Sequence, residues 1–123
     1  MAKINKNIVP FSSYITQELK NIIDFLTERE EITKVVFIKK AIRHFLTGNK
    51  IIDGRIMIQR GEPNYISRNA LLTSYINVEQ KKELEDIAWS QGATFSEALY
   101  QALLEYSMKM ITINDTGFQI RRK

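Results

Sequence analysis

The chain reads as a mainly α-helical fold around a short antiparallel β-ribbon, built from two tandem strand-helix-helix units that pair within one chain. Three observations carry that reading. SSYIT at residues 12–16 returns as TSYIN at residues 73–77, 61 positions later. The same offset keeps apolar positions aligned, without a gap, as far as Phe45 and Tyr106. Each copy also repeats one order of parts: an alternating segment, an amphipathic helical stretch, a break, and a strongly apolar helical stretch.

The first alternating segment puts Val9, Phe11, Ser13 and Ile15 on one face and Ile8, Pro10, Ser12 and Tyr14 on the other. Its counterpart sets Ala70, Leu72, Ser74 and Ile76 against Asn69, Leu71, Thr73 and Tyr75. Period two predicts a short strand in each copy. Thr16 and Asn77 then stand where a helix N-cap belongs. The helix that follows gathers Leu19, Ile22, Ile23 and Leu26 on one stripe, and its counterpart gathers Leu84, Ile87 and Ala88. Trp89, beside Ala88, is expected to pack.

Breaks come at REEIT and SQGAT, after which Thr33 and Thr94 open the second helices. Thr94 and Glu97 have capping-box spacing. The apolar face of that helix is Phe37, Ile38, Ala41, Ile42, Phe45 and Leu46 in one copy. In the other it is Ala98, Leu99, Ala102, Leu103 and Tyr106. A strand with two short helices buries too little surface to stand alone. Two copies solve this by pairing their strands over four packed helices, an intramolecular pseudodimer.

The units therefore span 8–47 and 69–108, joined by a linker at 48–68 and followed by a tail at 109–123. Asp53-Gly54, between Ile51-Ile52 and Ile56-Met57-Ile58, has the form of a two-residue hairpin turn. Asp115-Thr116-Gly117 repeats that theme in the tail. Added β-hairpins are expected after each unit, the tail otherwise being a basic extension.

Composition narrows the function. Hydrophobic residues make up 44% and charged ones 26%, which suits a folded globular chain. No apolar run approaches the roughly 18 residues of a membrane span, and MAKINKNIVPF is too polar for a signal peptide. A cytoplasmic location is expected, with no membrane partner. The absence of cysteine excludes disulfides, thiolate nucleophiles and Cys-ligated metals. His44 is the only histidine and has no partners at metal-binding or catalytic spacing. No phosphate cradle or nucleophile elbow is present. The chain is expected to be no enzyme and to need no cofactor. Net charge is +4, but residues 1–61 hold 11 Lys/Arg against 6 Asp/Glu, and residues 62–123 hold 7 against 8. The halves differ in sign, at +5 and −1.

The twofold order of strand, capped amphipathic helix, turn and Thr-capped apolar helix resembles the ribbon-helix-helix (Arc/MetJ/CopG) family of DNA-binding proteins. SYINVEQKKELEDIAWSQGATFSEALYQALLEY is the closer copy, with Gly92 at the turn between helices. SYITQELKNIIDFLTEREEITKVVFIKKAIRHF has Glu31 where that family usually has glycine. Two units in one chain resemble the TraY-type accessory proteins of conjugative plasmid relaxosomes.

The resemblance implies sequence-specific binding of double-stranded DNA, with the ribbon in the major groove. The chain would then be a transcriptional repressor or an accessory factor in plasmid transfer or maintenance. Base contacts would fall to Pro10, Ser12, Tyr14, Leu71, Thr73 and Tyr75. The family more often has Arg, Lys, Gln or Asn at some of these places. Phosphate contacts would come from the second-helix N-termini, Thr33, Lys34 and Val35 and then Thr94, Phe95 and Ser96, with Lys6 and Arg68 flanking. Lys34 in one copy and Glu97 in the other make the two ends unequal. The implied assembly is a monomeric pseudodimer that oligomerises cooperatively on DNA. The alternative is a protein-interaction adaptor that uses the fold as a scaffold for a relaxase, a toxin or another plasmid-encoded partner.

Overall fold

The computed structural model describes residues 7–122, with side chains described to residue 112. In chain order the elements are β1 (Ile8–Ile15), α1 (Gln17–Glu30), α2 (Lys34–Leu46), β2 (Ala70–Asn77), α3 (Val78–Ser90) and α4 (Phe95–Arg122). The strands form one two-stranded antiparallel sheet, and helices dominate the rest. Helix starts in the second half lie 61 positions after those in the first, Gln17 with Val78 and Lys34 with Phe95.

Alternation sets the faces of the ribbon. Phe11, Ser13, Ile15, Ala70, Leu72 and Ile76 are buried, while Pro10, Ser12, Tyr14, Leu71, Thr73 and Tyr75 are exposed. Ser12 faces Thr73, Pro10 faces Tyr75 and Tyr14 faces Leu71. Pro10 has no N–H, so its pair must be one of the non-hydrogen-bonded pairs of the ladder. The Val78 N–H donates to the Asn7 carbonyl at 2.7 Å, which puts the ladder bonds at the odd positions of β1. Proline therefore costs the ribbon no bond. The outward residues form the closely spaced pairs, with Cα atoms about 4.5 Å apart.

Below the ribbon lies one continuous core. It joins Ile15, Leu19, Ile23 and Leu26 to Phe37, Ile42 and Phe45 of α2, and to Leu84, Leu99 and Leu103 of the second half. The main helix contact is α2 against α4, one from each half. Neither half holds a core of its own.

The caps fall where side-chain chemistry requires them. Thr16 Oγ1 accepts from the Leu19 N–H at 3.0 Å, and Asn77 Oδ1 from Glu79 and Gln80 at 2.8 and 3.0 Å. Thr33 Oγ1 accepts from Val36 at 3.2 Å. Thr94 and Glu97 close a full capping box: the Glu97 N–H donates to Thr94 Oγ1 at 3.1 Å, and the Thr94 N–H donates to Glu97 Oε1 at 2.9 Å.

Glu31 and Gly92 end α1 and α3 with positive φ, 57° and 74°. Only glycine adopts that region without crowding its own Cβ. Glu31→Gly is accordingly expected to raise stability by about 1 kcal/mol in chemical denaturation. Gly92→Ala should lower it by about the same amount, because a Cβ there meets nothing within 4 Å and only the dihedral matters. Equal midpoints for wild type and Glu31→Gly would remove strain from this turn.

Three expectations are corrected. Residues 48–68 contain no hairpin. Neither Asp53 nor Gly54 has the positive φ of a type I′ turn. Ile56 and Met57 N–H groups donate instead to the Asp53 and Gly54 carbonyls at 2.9 and 3.1 Å, a helical turn. Ile52 and Ile56, four apart, are buried while Ile51 is 58% exposed, so helical spacing rather than alternation governs burial. The segment 109–123 forms no hairpin within the described residues, because α4 continues to Arg122. Tyr106, Ser107, Met110 and Ile111 keep the helical phase on its inner side. Trp89 does not pack: it is 85% exposed. One residue past buried Ala88 is a turn of about 100° along the helix, which carries it off the Leu84–Ala88 stripe.

Candidate nucleic-acid interface

All six residues expected to contact bases lie together on the solvent face of the ribbon. Ser12 and Thr73 occupy its centre, Pro10 and Tyr75 one end, and Tyr14 and Leu71 the other. Tyr14 is 56% exposed and Tyr75 50%, and neither makes a ring contact or side-chain hydrogen bond among the described residues. About half of each side chain is open to solvent. The face bears hydroxyls, phenols, a proline and a leucine, and no charge.

The helix N-termini differ in what they leave free. At α2 the Val36 N–H goes to Thr33 Oγ1 and the Phe37 N–H to the Thr33 carbonyl at 3.0 Å. The Lys34 and Val35 N–H groups, in the first turn, lie outside the intrahelical ladder. At α4 the Phe95 ring stands edge-on to Phe11, with centroids 6.4 Å apart, and Lys81 Nζ lies 5.6 Å from its centre. Ser13 Oγ donates to Ser96 Oγ at 3.0 Å. The first half cannot repeat that bond, since Val35 stands where Ser96 does. Glu97 turns its carboxylate back onto Thr94, so its charge remains at the α4 terminus.

Arg68 is not displayed as a strand-flanking cation. Its guanidinium lies 5.6 Å from the Tyr65 ring and 5.3 Å from the Tyr100 ring, and its Nη1 is buried without a hydrogen-bond partner. It fastens the end of the linker to α4. Lys6 lies outside the described residues.

Sequence reasoning missed the residues that hold the linker. The Ile52 N–H donates to Gln91 Oε1 at 2.9 Å, and Gln91 Nε2 donates to the Lys50 carbonyl at 2.6 Å. The Asp53 N–H donates to Gln101 Oε1 at 2.7 Å. Hydrogen bonds from the Arg55 side chain, and then from its backbone N–H, hold the Asp53 carboxyl down at about 2. A glutamine just past a helix end, like Gln91, or within a helix, like Gln101, gives no sign of such a role, because its partners are backbone groups more than 35 positions away.

His44 is half-buried beside the Tyr106 ring, at 5.8 Å. Among the described residues no group of three or more His, Asp or Glu side chains could hold a metal ion. No described helix is long and apolar enough to cross a membrane. Comparison with protein-family models, with curated proteins and with solved structures finds no match for this chain. Function has to be argued from the site.

Proposed function

We propose that this chain is a sequence-specific double-stranded DNA-binding protein whose β1–β2 ribbon enters the major groove. The observation that carries the reading is the exposed outward row of the ribbon, with unpaired tyrosines at both ends, over a largely buried inner face. A two-stranded ribbon fits a groove about 12 Å wide, where every base pair presents a distinct donor and acceptor pattern. Serine and threonine serve several bases, while the Leu71 and Thr73 methyls suit thymine. Lys34 and the free first-turn N–H groups of α2 suit a phosphate beside the groove.

The two units are proposed to form a pseudodimer about an approximate twofold axis passing between Ser12 and Thr73. Those residues are equivalent under the 61-residue offset, and they also face each other in the register. The role would be repression, or assistance in plasmid transfer or maintenance. The uncharged ribbon face favours one second reading, an adaptor for a protein partner such as a relaxase.

Selection from a random duplex pool, followed by titration, tests this. Ser12→Ala with Thr73→Ala should leave the unfolding midpoint nearly unchanged. It should lower the ratio of selected-site to random-site affinity roughly tenfold. Equal losses on every sequence would mean that another face reads the DNA. Failure of the wild type to bind any duplex at low salt would favour the adaptor.

A further inference from the structure

The outer face of α2 carries a line of positive charge that the rest of the fold leaves unused. Val36, Lys39, Lys40 and Arg43 follow the i, i+3, i+4, i+7 spacing of one helix face, and all four are exposed. The sequence of α2, KVVFIKKAIRHFL, contains no acidic residue. Among the described residues, the side chains of Lys39, Lys40 and Arg43 enter no ion pair and no hydrogen bond, although the Lys39 and Arg43 carbonyls accept from Gln80 Nε2 and Thr47 Oγ1. Lys40 shares a small cavity with Glu30, but that carboxylate is paired with Arg29 at 3.0 Å.

A helix C-terminus favours cations, which accounts for Arg43 in the last turn. It does not account for Lys39 and Lys40 in the middle. The second half offers no matching line. The positions 61 residues on are Tyr100, Gln101 and Leu104, and the first two are buried, held by Arg68 and by the linker backbone.

The line is continuous with the ribbon. Lys39 and Tyr75, an outward ribbon residue, border the same cleft of about 360 Å³, together with Val36 and Asn77. From Lys39 to Arg43 the charges of this face cover about 6 Å of helix, while Lys34 stands at the α2 N-terminus on the other side of the helix. A linear polyanion passing the ribbon would meet them in succession.

We infer that the exposed face of α2 is a second contact surface for the DNA backbone, engaging phosphates that flank the ribbon site on the side of the first unit only. This rests on the duplex binding proposed above. It adds an extended and one-sided footprint, which the ribbon and the helix N-termini alone would not produce. Binding there is electrostatic and indifferent to sequence, with one counterion released for each phosphate neutralised.

The experiment compares wild type with the Lys39→Gln, Lys40→Gln, Arg43→Gln triple variant on two duplexes. One covers only the selected ribbon site, and the other extends it by about two helical turns on each side. The triple variant should lose at least tenfold in affinity for the long duplex, and its slope of log affinity against log salt should flatten by about two to three. On the short duplex its affinity should change less than threefold. Hydroxyl-radical footprints should shorten at one end only. Circular dichroism and the unfolding midpoint check that the exposed substitutions leave the fold intact. Unchanged affinity, slope and footprint on the long duplex, with wild-type binding present, would overturn this inference and leave the ribbon reading standing. Absence of wild-type binding to either duplex would overturn both. A symmetric shortening would show that the surface is not one-sided, which also defeats the inference.

Discussion

Phe37→Ala is expected to lower the free energy of unfolding by about 3–5 kcal/mol, with both halves melting in one transition. Phe37 is 1% exposed, and its ring meets Tyr106 edge-on with centroids 5.3 Å apart. That contact crosses from α2 to α4, and the position equivalent to Phe37 in the second half is Ala98. The Phe37 ring fills space against Tyr106 that an alanine side chain would leave empty. Thermal and denaturant unfolding, followed by far-ultraviolet and near-ultraviolet circular dichroism, would check this. Two separate transitions, with the second half surviving the first, would mean that each half has an independent core.

Thr73→Glu is expected to reduce duplex binding by more than about 100-fold at low salt, while the unfolding midpoint moves little. The side chain is exposed at the centre of the ribbon face, opposite Ser12. Surface substitutions of this kind usually change stability by less than about 0.5 kcal/mol. In the proposed complex a carboxylate there would sit at the closest approach to a polyanion, and juxtaposed like charges cost several kcal/mol. At about 1.4 kcal/mol per tenfold, this corresponds to two decades or more. Gln59→Glu, on the exposed linker, makes the same change in net charge away from the ribbon and should be nearly silent. Equal losses for the two variants would trace the effect to net charge and remove the ribbon from the binding surface.

Much of the ribbon and of the helix caps was legible in the order of residues. Alternation in a half-buried strand has only two settings, so Phe11, Ser13 and Ile15 went inward and Ser12 and Tyr14 outward. Caps at Thr16, Thr33, Asn77 and Thr94 are local chemistry, in which a side-chain oxygen meets an N–H two or three residues on. The hairpins expected in the linker and the tail do not form, because Asp-Gly, and Ile or Thr beside polar residues, suit turns, strands and helices alike until a partner is present. Trp89 was misplaced by adjacency to Ala88, where helical phase decided the matter.

By itself the sequence determined two copies of strand, helix and helix, their caps, the inner and outer faces of the ribbon, and the unequal charge of the halves. Each of these depends on spacings of a few residues or on a repeat that can be counted. Only the tertiary structure decided that Ser12 faces Thr73, that α2 packs on α4, and that Gln91 and Gln101 hold the linker. It also decided that Arg68 lies against the rings of Tyr65 and Tyr100 while Lys39, Lys40 and Arg43 stay in the open. The reason is that a cation's environment is set by groups far away in the chain. Arg68 and Arg43 look alike in sequence, and only the linker folding back onto α4 withdraws one of them from solvent while leaving the other exposed.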